Sequence, residues 1–477
     1  MAKDQLSRSL GRRRRTLVVL CFVQYMLVLD DTVVSVALPS IKDDLGFGTT
    51  GLAWVVNTYF LAFGGFLLLS GRAADLVGRR RVFLSGVALF GAASLACGAA
   101  QEPWQLLSGR FLQGMGAAMA SPAALSMITL LFPRERERAR ALSVWGGIAA
   151  LGGTSGLVIS GVLTDLASWR WIFLINLPVA VMALGLIPRL VGESRSARRT
   201  FLDVPGSVLG TAATLALVFG LLQVGEAGPN DPAFLLSMLL AVVLATAFIT
   251  VEARTSQPLV PLPFLAARTR TVANAATLLF SAAFYAMAFL LMLQLQTVIG
   301  YGPLEAGLAY LPYGAGLLAA MWLSSRAVPR FGVRPTLVLS FLTSAVGLLL
   351  LSRIAPGDGY VGGVLPGMIV TSVGCGLSLP ALAVAAVAGT TEDDAGLGSA
   401  VFSSVQQLGG AVGLAALVTV AVRHDSASSD PASQGFSLAL TVAAILLTTG
   451  AALIAAMLRG RRSATPADLQ MTPARHH

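Results

Sequence analysis

Three residues carry charge where charge is expensive. Asp30 and Asp31 lie within a long apolar run that begins at Thr16, and Arg110 lies within another that begins near Trp104. An acid taken out of water is costly to keep ionised, so it accepts a proton more readily than one on a wet surface. That is the chemistry of a proton carrier, which holds a proton and sheds it when a cationic ligand or altered hydration favours the charge. Asp30 stands about 21 Å beyond Thr16 along a helix rising about 1.5 Å per residue, past the middle of a bilayer. Successive helix positions point about 100° apart, so Asp30 and Asp31 serve different surroundings. An unpaired guanidinium is equally costly, which predicts that Arg110 faces a cavity and pairs with an acid or with backbone carbonyls. Gln113 follows Arg110 by one turn and shares its face. Two plainer readings stay open: an acid at a helix end turned to external water, and an arginine that only packs helices together.

The elements that must position these residues are membrane spans. Of 477 residues, 55% are AVILMFWYC, 50 more are glycine and only 12% are charged. A soluble domain has about 25% charged residues, so this chain cannot coat a soluble particle of its size. That excludes an ordinary cytosolic enzyme, a secreted domain and a disordered protein. Fourteen runs suit a span of about 20 residues: near 16–39, 52–71, 82–100, 104–131, 140–163, 171–190, 204–224, 233–251, 272–299, 306–325, 335–353, 361–388, 397–422 and 436–458. Runs this long and apolar are helices, which satisfy their own backbone in lipid. The run after Arg12–Arg15 is too long for a signal-peptide core and carries two acids, so it reads as an uncleaved first span. Cys21, Cys97 and Cys375 all fall in apolar runs and read as buried hydrophobes without a disulfide framework.

The net charge of +10 reports orientation, since most of it sits in short loops. Of 33 Lys and Arg, 28 fall on the side of the N-terminus, four (Lys42, Arg170, Arg353, Arg423) on the other, and Arg110 within a span. The positive-inside rule then puts both termini in the cytoplasm. The alternating charges of Arg134–Arg138 read as a solvated face. Residues 251–271, with Pro258, Pro261 and Pro263, read as a cytoplasmic linker, and 423–435, rich in Ser, Asp and Ala, as a flexible external loop.

The chain echoes itself. At an offset of 254, Arg72, Gly78 and Arg80 of the loop after the second span meet Arg326, Gly332 and Arg334 of the loop after the tenth. At an offset of 257, Leu151-Gly152-Gly153 meets Leu408-Gly409-Gly410. Two echoes at nearly one offset suggest duplicated halves of six spans, parallel about an axis along the membrane normal. The seventh and eighth spans are then a central insertion.

Gly71-Arg72-Ala73-Ala74-Asp75-Leu76-Val77-Gly78-Arg79-Arg80 closely resembles the signature loop of the major facilitator superfamily. Leu29-Asp30-Asp31-Thr32-Val33-Val34-Ser35-Val36-Ala37-Leu38-Pro39 resembles the first-span motif of its fourteen-span drug/proton antiporters, and Gly109-Arg110-Phe111-Leu112-Gln113-Gly114-Met115-Gly116 the fourth-span motif. Trp169–Pro178 and Gln296–Leu304 also look like that family. The fifth span keeps the antiporter-motif glycines Gly152, Gly153, Gly156 and Gly161 and lacks the motif's proline; glycines still permit close approach and bending.

The resemblance implies an all-α polytopic membrane protein with the major facilitator fold, in which two six-helix bundles and two additional central helices make 14 transmembrane helices. The division is a cytoplasmic tail 1–15, a six-helix bundle 16–190, two inserted helices with linkers 191–271, a second six-helix bundle 272–458 and a cytoplasmic tail 459–477. The implied function is proton-coupled export of small amphipathic drugs or antibiotics across a bacterial cytoplasmic membrane by alternating access. The first-span motif falls on Asp30, with Asp31 as a second candidate, and Arg110 carries a coupling role. Gly71, Arg72, Asp75, Gly78, Arg79 and Arg80 are implied to form a cytoplasmic gate, Asp75 accepting bonds from a helix N-terminus or an arginine of the neighbouring bundle. Orientation alone would also explain that loop's arginines.

Gln24, Tyr25, Trp54, Asn57, Tyr59, Gln113, Trp145, Tyr285, Gln294 and Gln296 are candidate cavity residues. Aromatic faces and amides suit flat, amphipathic or cationic ligands, although most such residues in a bundle serve packing. The alternative function is narrow transport of one metabolite or nutrient on the same fold. An enzyme or receptor finds no support: there is no G-x-x-x-x-G-K-[ST] and no H-E-x-x-H, and His424, His476 and His477 lie outside the spans. The expected partners are therefore the drug, protons and the lipid bilayer, with no nucleic acid, no metal and no cofactor beyond a proton gradient, and the expected state is a monomer.

Overall fold

The computed structural model describes every residue except Met1, 195–202, 256–257, 259–263, 265–266, 355–356, 358, 389–394, 428–430 and 459–477. Among the described residues there are sixteen α-helices and no strand. They are α1 (Ala2–Leu45), α2 (Thr49–Val77), α3 (Arg79–Gly98), α4 (Pro103–Leu131), α5 (Glu135–Leu166), α6 (Trp171–Leu174), α7 (Asn176–Leu190), α8 (Val204–Ala227) and α9 (Pro232–Arg254). After the linker come α10 (Arg268–Thr297), α11 (Pro303–Ala309), α12 (Leu311–Phe331), α13 (Val333–Leu351), α14 (Leu365–Ala386), α15 (Ala395–Ala427) and α16 (Pro431–Met457).

These helices supply 14 segments long and apolar enough to cross a membrane, matching the fourteen runs read from the sequence. Large apolar side chains stand exposed on the outer surface: Leu236 (67%) and Val242 (64%) of α9 are exposed as lipid requires and water would not allow. Three spans are interrupted, and each interruption precedes a proline. Pro178, Pro312 and Pro366 cannot donate to the carbonyl four residues back, so the chain breaks between α6 and α7, between α11 and α12, and at the wide turn Tyr360–Val364 before α14.

Two expectations change. The N-terminal tail is continuous with the first span, since α1 starts at Ala2. Most of the external loop expected at 423–435 is helical: α15 runs to Ala427 and α16 begins at Pro431, with 428–430 outside the described residues. Ala is the best helix former, and Ser and Asp lose only a fraction of a kcal/mol each, so polarity alone does not end a helix; Pro431 at the first turn of α16 marks the restart. The tail 459–477 and most of 256–266 lie outside the described residues.

The sequence echo is a structural repeat. Gly78 joins α2 to α3 with φ +125°, and Gly332 joins α12 to α13 with φ +88°, a backbone region open chiefly to glycine. Helix α5 packs on α1 as α15 packs on α10. A Cβ on Gly152 would meet the Tyr25 carbonyl at 3.1 Å, and one on Gly409 would meet the Leu278 carbonyl at 3.1 Å. The first half holds α1–α7 and the second α10–α16.

The halves meet along two seams. Helix α2 packs on α15, with Gly64 against Gln407 and Leu408. Near the membrane face opposite the termini, α5 packs on α11 and α1 on α10. There a Cβ on Gly161 would lie 2.7 Å from the Pro303 carbonyl, and Gln296 Nε2 donates to the Val36 carbonyl at 3.0 Å. The halves are closed together on that side. The inserted α8 lies in the groove between α2 and α15: Ser207 Oγ donates to the Gly65 carbonyl at 3.0 Å, and Thr419 Oγ1 to the Leu221 carbonyl at 2.5 Å. Helix α9 covers α8 from the lipid side.

Within the first half, α4 lies almost backbone to backbone against α3. A Cβ on Gly116 would sit 2.7 Å from Phe90 N and 2.8 Å from the Gly86 carbonyl. A Gly116→Leu variant should therefore force α3 and α4 apart at a cost of about 1–3 kcal/mol, lowering the thermal unfolding midpoint of the detergent-purified protein. An unchanged midpoint would show that the crossing is not tight.

Candidate functional site

The two charges of the first and fourth spans meet. Arg110 Nη1 lies 2.6 Å from Asp30 Oδ2, and both residues are fully buried. Arg110 Nε donates to the Val55 carbonyl of α2 at 3.0 Å, and Nη1 also reaches Gln113 Oε1 at 3.0 Å. The guanidinium carbon stands 4.4 Å from the centre of the Tyr59 ring, a cation–π arrangement. On the other side of the ion pair, Asp30 Oδ1 accepts from Gln113 Nε2 at 3.0 Å and from Asn176 Nδ2 at 2.7 Å. Ser94 Oγ of α3 accepts from Gln113 Nε2 at 2.8 Å, closing the network.

Small residues bring α4 close to α2 and α3. A Cβ on Gly114 would fall 2.8 Å from Ala62, so α4 approaches α2 closely enough to stack Tyr59 on Arg110. The break before α7 sets Asn176 at the start of that helix, with its amide aimed at Asp30. The carboxylate thus holds a cation and two amide donors, the condition under which a buried charge is tolerated. The reading of Asp30 as an acid facing external water is overturned by its complete burial. Asn176 and Ser94 were missed. The signal was available, because a polar residue inside an apolar run is suspect by default, and Asn176 stands within the stretch Trp169–Pro178.

Asp31 points elsewhere. It is half-buried, and its Oδ1 is buried without a hydrogen-bond partner among the described residues.

The remaining candidates separate by location. Gln113, expected along a cavity, belongs inside the network instead. Trp54 stands 6.3 Å from Phe219 of α8 and so faces the insertion. Tyr25 shares a hydrogen bond of 2.8 Å with Ser155 of α5. Gln296 closes the seam to α1. Tyr285 of α10 reaches the first half, 4.5 Å from Phe60. Gln24 Oε1, both amide atoms of Asn57, Trp145 Nε1 and Gln294 Oε1 are buried without hydrogen-bond partners among the described residues. Of the motif glycines, Gly152, Gly153 and Gly156 face α1, and Gly161 faces α11.

The signature loop bonds within its own half and to the insertion. Asp75 accepts from Arg79 Nη2 at 2.9 Å, and among the described residues no donor of a neighbouring bundle reaches it. Arg79 N donates to the Ser194 carbonyl, and Arg80 N to Glu193 Oε1 at 3.2 Å. Gly71 lies beside Pro122, and a Cβ on Gly78 would strike Glu193. Arg72 donates to the Pro258 carbonyl and lies within electrostatic range of Glu252 and Asp203, the buried acids at the end of α9 and the start of α8. Among the described residues no group of three His, Cys, Asp or Glu could hold a metal ion.

An Asn176→Leu variant leaves the buried carboxylate one donor short. The expected loss is about 1.5–3 kcal/mol, read as a lower unfolding midpoint in detergent. An additive effect when combined with Gln113→Leu would deny that the two amides act on one charge.

A model of the Major Facilitator Superfamily matches residues 20–414. The chain is 39% identical over 468 residues to the lincomycin resistance protein of Streptomyces lincolnensis, covering 98% of this chain and 96% of that one. It is 35% identical to the cephamycin export protein CmcT of Amycolatopsis lactamdurans, covering 96% and 95%. Among solved structures, the xylose transporter XylE of E. coli superposes with a TM-score of 0.64 at 14% identity, covering 96% of this chain and 99% of that one. A POT family transporter superposes with a TM-score of 0.68 at 16% identity, covering 93% and 97%. Fold, spans and sequence agree: this multi-pass membrane protein belongs to the Major Facilitator Superfamily.

Proposed function

We propose that the chain exports small amphipathic antibiotics or drugs from the cytoplasm in exchange for protons, by alternating access, with both termini cytoplasmic. Relatives spanning nearly its whole length are described as an antibiotic resistance protein and an antibiotic export protein. The division into bundles 16–190 and 272–458 around the insertion 191–271 belongs to the same reading.

The observation that carries the coupling is the Asp30–Arg110 ion pair, sealed inside the first half with a hydrogen-bonded partner for each charge. Protonating Asp30 cancels the attraction that holds α1 to α4 and leaves the guanidinium facing Tyr59 and the Val55 carbonyl. The two protonation states therefore prefer different packing of α1 against α4, which is the differential interaction that coupling needs. Because α1 also packs on α10 of the other half, a change in its seating is transmitted to the seam. In the state described here the seam is closed on the side opposite the termini, and Asp75 is held by Arg79 of its own loop. Release of Asp75 to the second half would accompany closure of the cytoplasmic side.

The test uses inverted membrane vesicles with an acidified interior. Adding a cationic dye or an antibiotic such as lincomycin should release protons in vesicles carrying the protein. Asp30→Asn should reduce that release by about tenfold or more, equivalent to about 1.4 kcal/mol at least, with the protein still inserted. Full activity in Asp30→Asn would remove the coupling role. A response to a single metabolite and to no drug would instead establish a narrow carrier.

A further inference from the structure

The insertion touches both halves, and it holds them by bonds of different kinds. Toward the first half it presents charge. Asp203 at the start of α8 and Glu252 at the end of α9 are both buried. Asp203 Oδ1 accepts from Gly206 N at 2.9 Å. A Cβ on Gly206 would stand 2.7 Å from Asp203 Oδ2 and 3.0 Å from Glu252 Oε1, so the two carboxylates gather at one place. Arg72 of the signature loop is within electrostatic range of both and donates to the Pro258 carbonyl beyond α9. One turn further along α8, Ser207 Oγ donates to the Gly65 carbonyl of α2 at 3.0 Å, and a Cβ on Gly65 would strike Thr211. Phe219, further along α8, stands 6.3 Å from Trp54 of the same α2. Helix α8 is thus held to α2 along most of its length, and α9 packs on α8.

Toward the second half the bond is neutral. Thr419 Oγ1 of α15 donates to the Leu221 carbonyl of α8 at 2.5 Å, and a Cβ on Gly225 would lie 3.8 Å from Thr419 Cβ. Leu221 stands inside α8, where its carbonyl also serves the helix, so losing Thr419 orphans no backbone group. The Thr419 hydroxyl can turn back to the carbonyl of Ala415, four residues earlier on its own helix. A hydroxyl bond of this kind is exchanged at small cost. Drawing two buried carboxylates away from their cation leaves charge uncompensated, which is far more costly. When the halves part, α8 must leave either α2 or α15, and this inequality decides which.

We propose that the insertion is a fixed part of the first moving body: Asp203 and Glu252 are positioning residues that clamp α8 and α9 to Arg72 of the signature loop, and α15 slides along α8, with Thr419 making and breaking its bond at each cycle. The groove beside α2 then stays covered while the halves rock. The inference rests on the alternating-access reading above, and a lock between the halves that bypasses the insertion tests that reading separately.

Three cysteine pairs in the full chain test it, each compared with its own reduced form, with bridge formation measured by mass spectrometry. Thr154→Cys with Gly314→Cys joins α5 to α12 across the halves, Gly225→Cys with Thr419→Cys joins α8 to α15, and Gly65→Cys with Thr211→Cys joins α2 to α8. Their Cβ atoms stand 3.2, 3.8 and 2.9 Å apart, all within about 1 Å of the spacing a disulfide spans. The readout is proton release in inverted vesicles on adding ethidium or lincomycin. Bridging the first or the second pair should lower it by about tenfold or more, reversibly, and bridging the third should leave it within about twofold. Asp203→Asn with Glu252→Gln should free α8 to follow α15, so the bridged second pair regains about fivefold. Acids with a merely structural role would lower activity and never raise it. Glu252→Asp keeps the charge and should keep the lock in force. Full release with the second pair bridged, or its loss on bridging the third, overturns the proposal while the first pair still blocks. Full release with the first pair bridged removes alternating access itself, and the proposal with it.

Discussion

A charge cannot be carried into lipid alone, and the first half of this protein is arranged around that constraint. Asp30 and Arg110 are fully buried, and each is tolerated because the other stands 2.6 Å away. The pair leaves further hydrogen-bonding capacity, which Gln113, Asn176 and the Val55 carbonyl take up. Five helices, α1 to α4 and α7, must therefore keep register with one another to within a hydrogen-bond length. The small residues of these helices serve that register, since Gly114 lets α4 come close enough to α2 for Tyr59 to cover the guanidinium, and Gly116 lets it close on α3.

The second half carries no comparable pair among its described residues, although it repeats the same helical plan. The same loop glycine recurs as Gly332, and the same contact between first and fifth spans recurs at Gly409. The polar contacts of α13 and α14 are small hydroxyls, such as Ser378 on Ser340 at 2.8 Å. The halves have diverged in electrostatics while keeping their packing. One half holds the buried ion pair, and the other repeats its packing with small hydroxyls.

The insertion has its own anchoring. Helix α8 fills the groove between α2 and α15, and its N-terminal Asp203 stands with Glu252 beside Arg72 of the signature loop. A Cβ on Gly206 would meet Asp203 Oδ2 at 2.7 Å and Glu252 Oε1 at 3.0 Å, so glycine there lets both carboxylates gather at one place. The loop that resembles the family's gate is thus tied at Arg72 to the two extra spans, and at Arg79 and Arg80 to the segment 193–194 after α7.

The sequence by itself determined the number of spans, their helical character, the side on which positive charge gathers and the duplication of the chain. These follow from local composition and period, because lipid imposes its demand on each segment separately. It also singled out Asp30, Asp31 and Arg110, since a charge in an apolar run is anomalous wherever the helix packs. Tertiary structure decided the rest. Whether Arg110 would find an acid or only carbonyls, and which acid, depended on the rotation of α1 relative to α4, and a residue's spacing along one helix cannot fix its angle against another. The same rotation sent Asp30 into the bundle and left Asp31 facing the other half. Helix packing elsewhere set Gln113 inside the network, turned Trp54 to the insertion and recruited Asn176, whose role depends on a chain break before Pro178 that brings its amide across to a carboxylate 146 residues earlier.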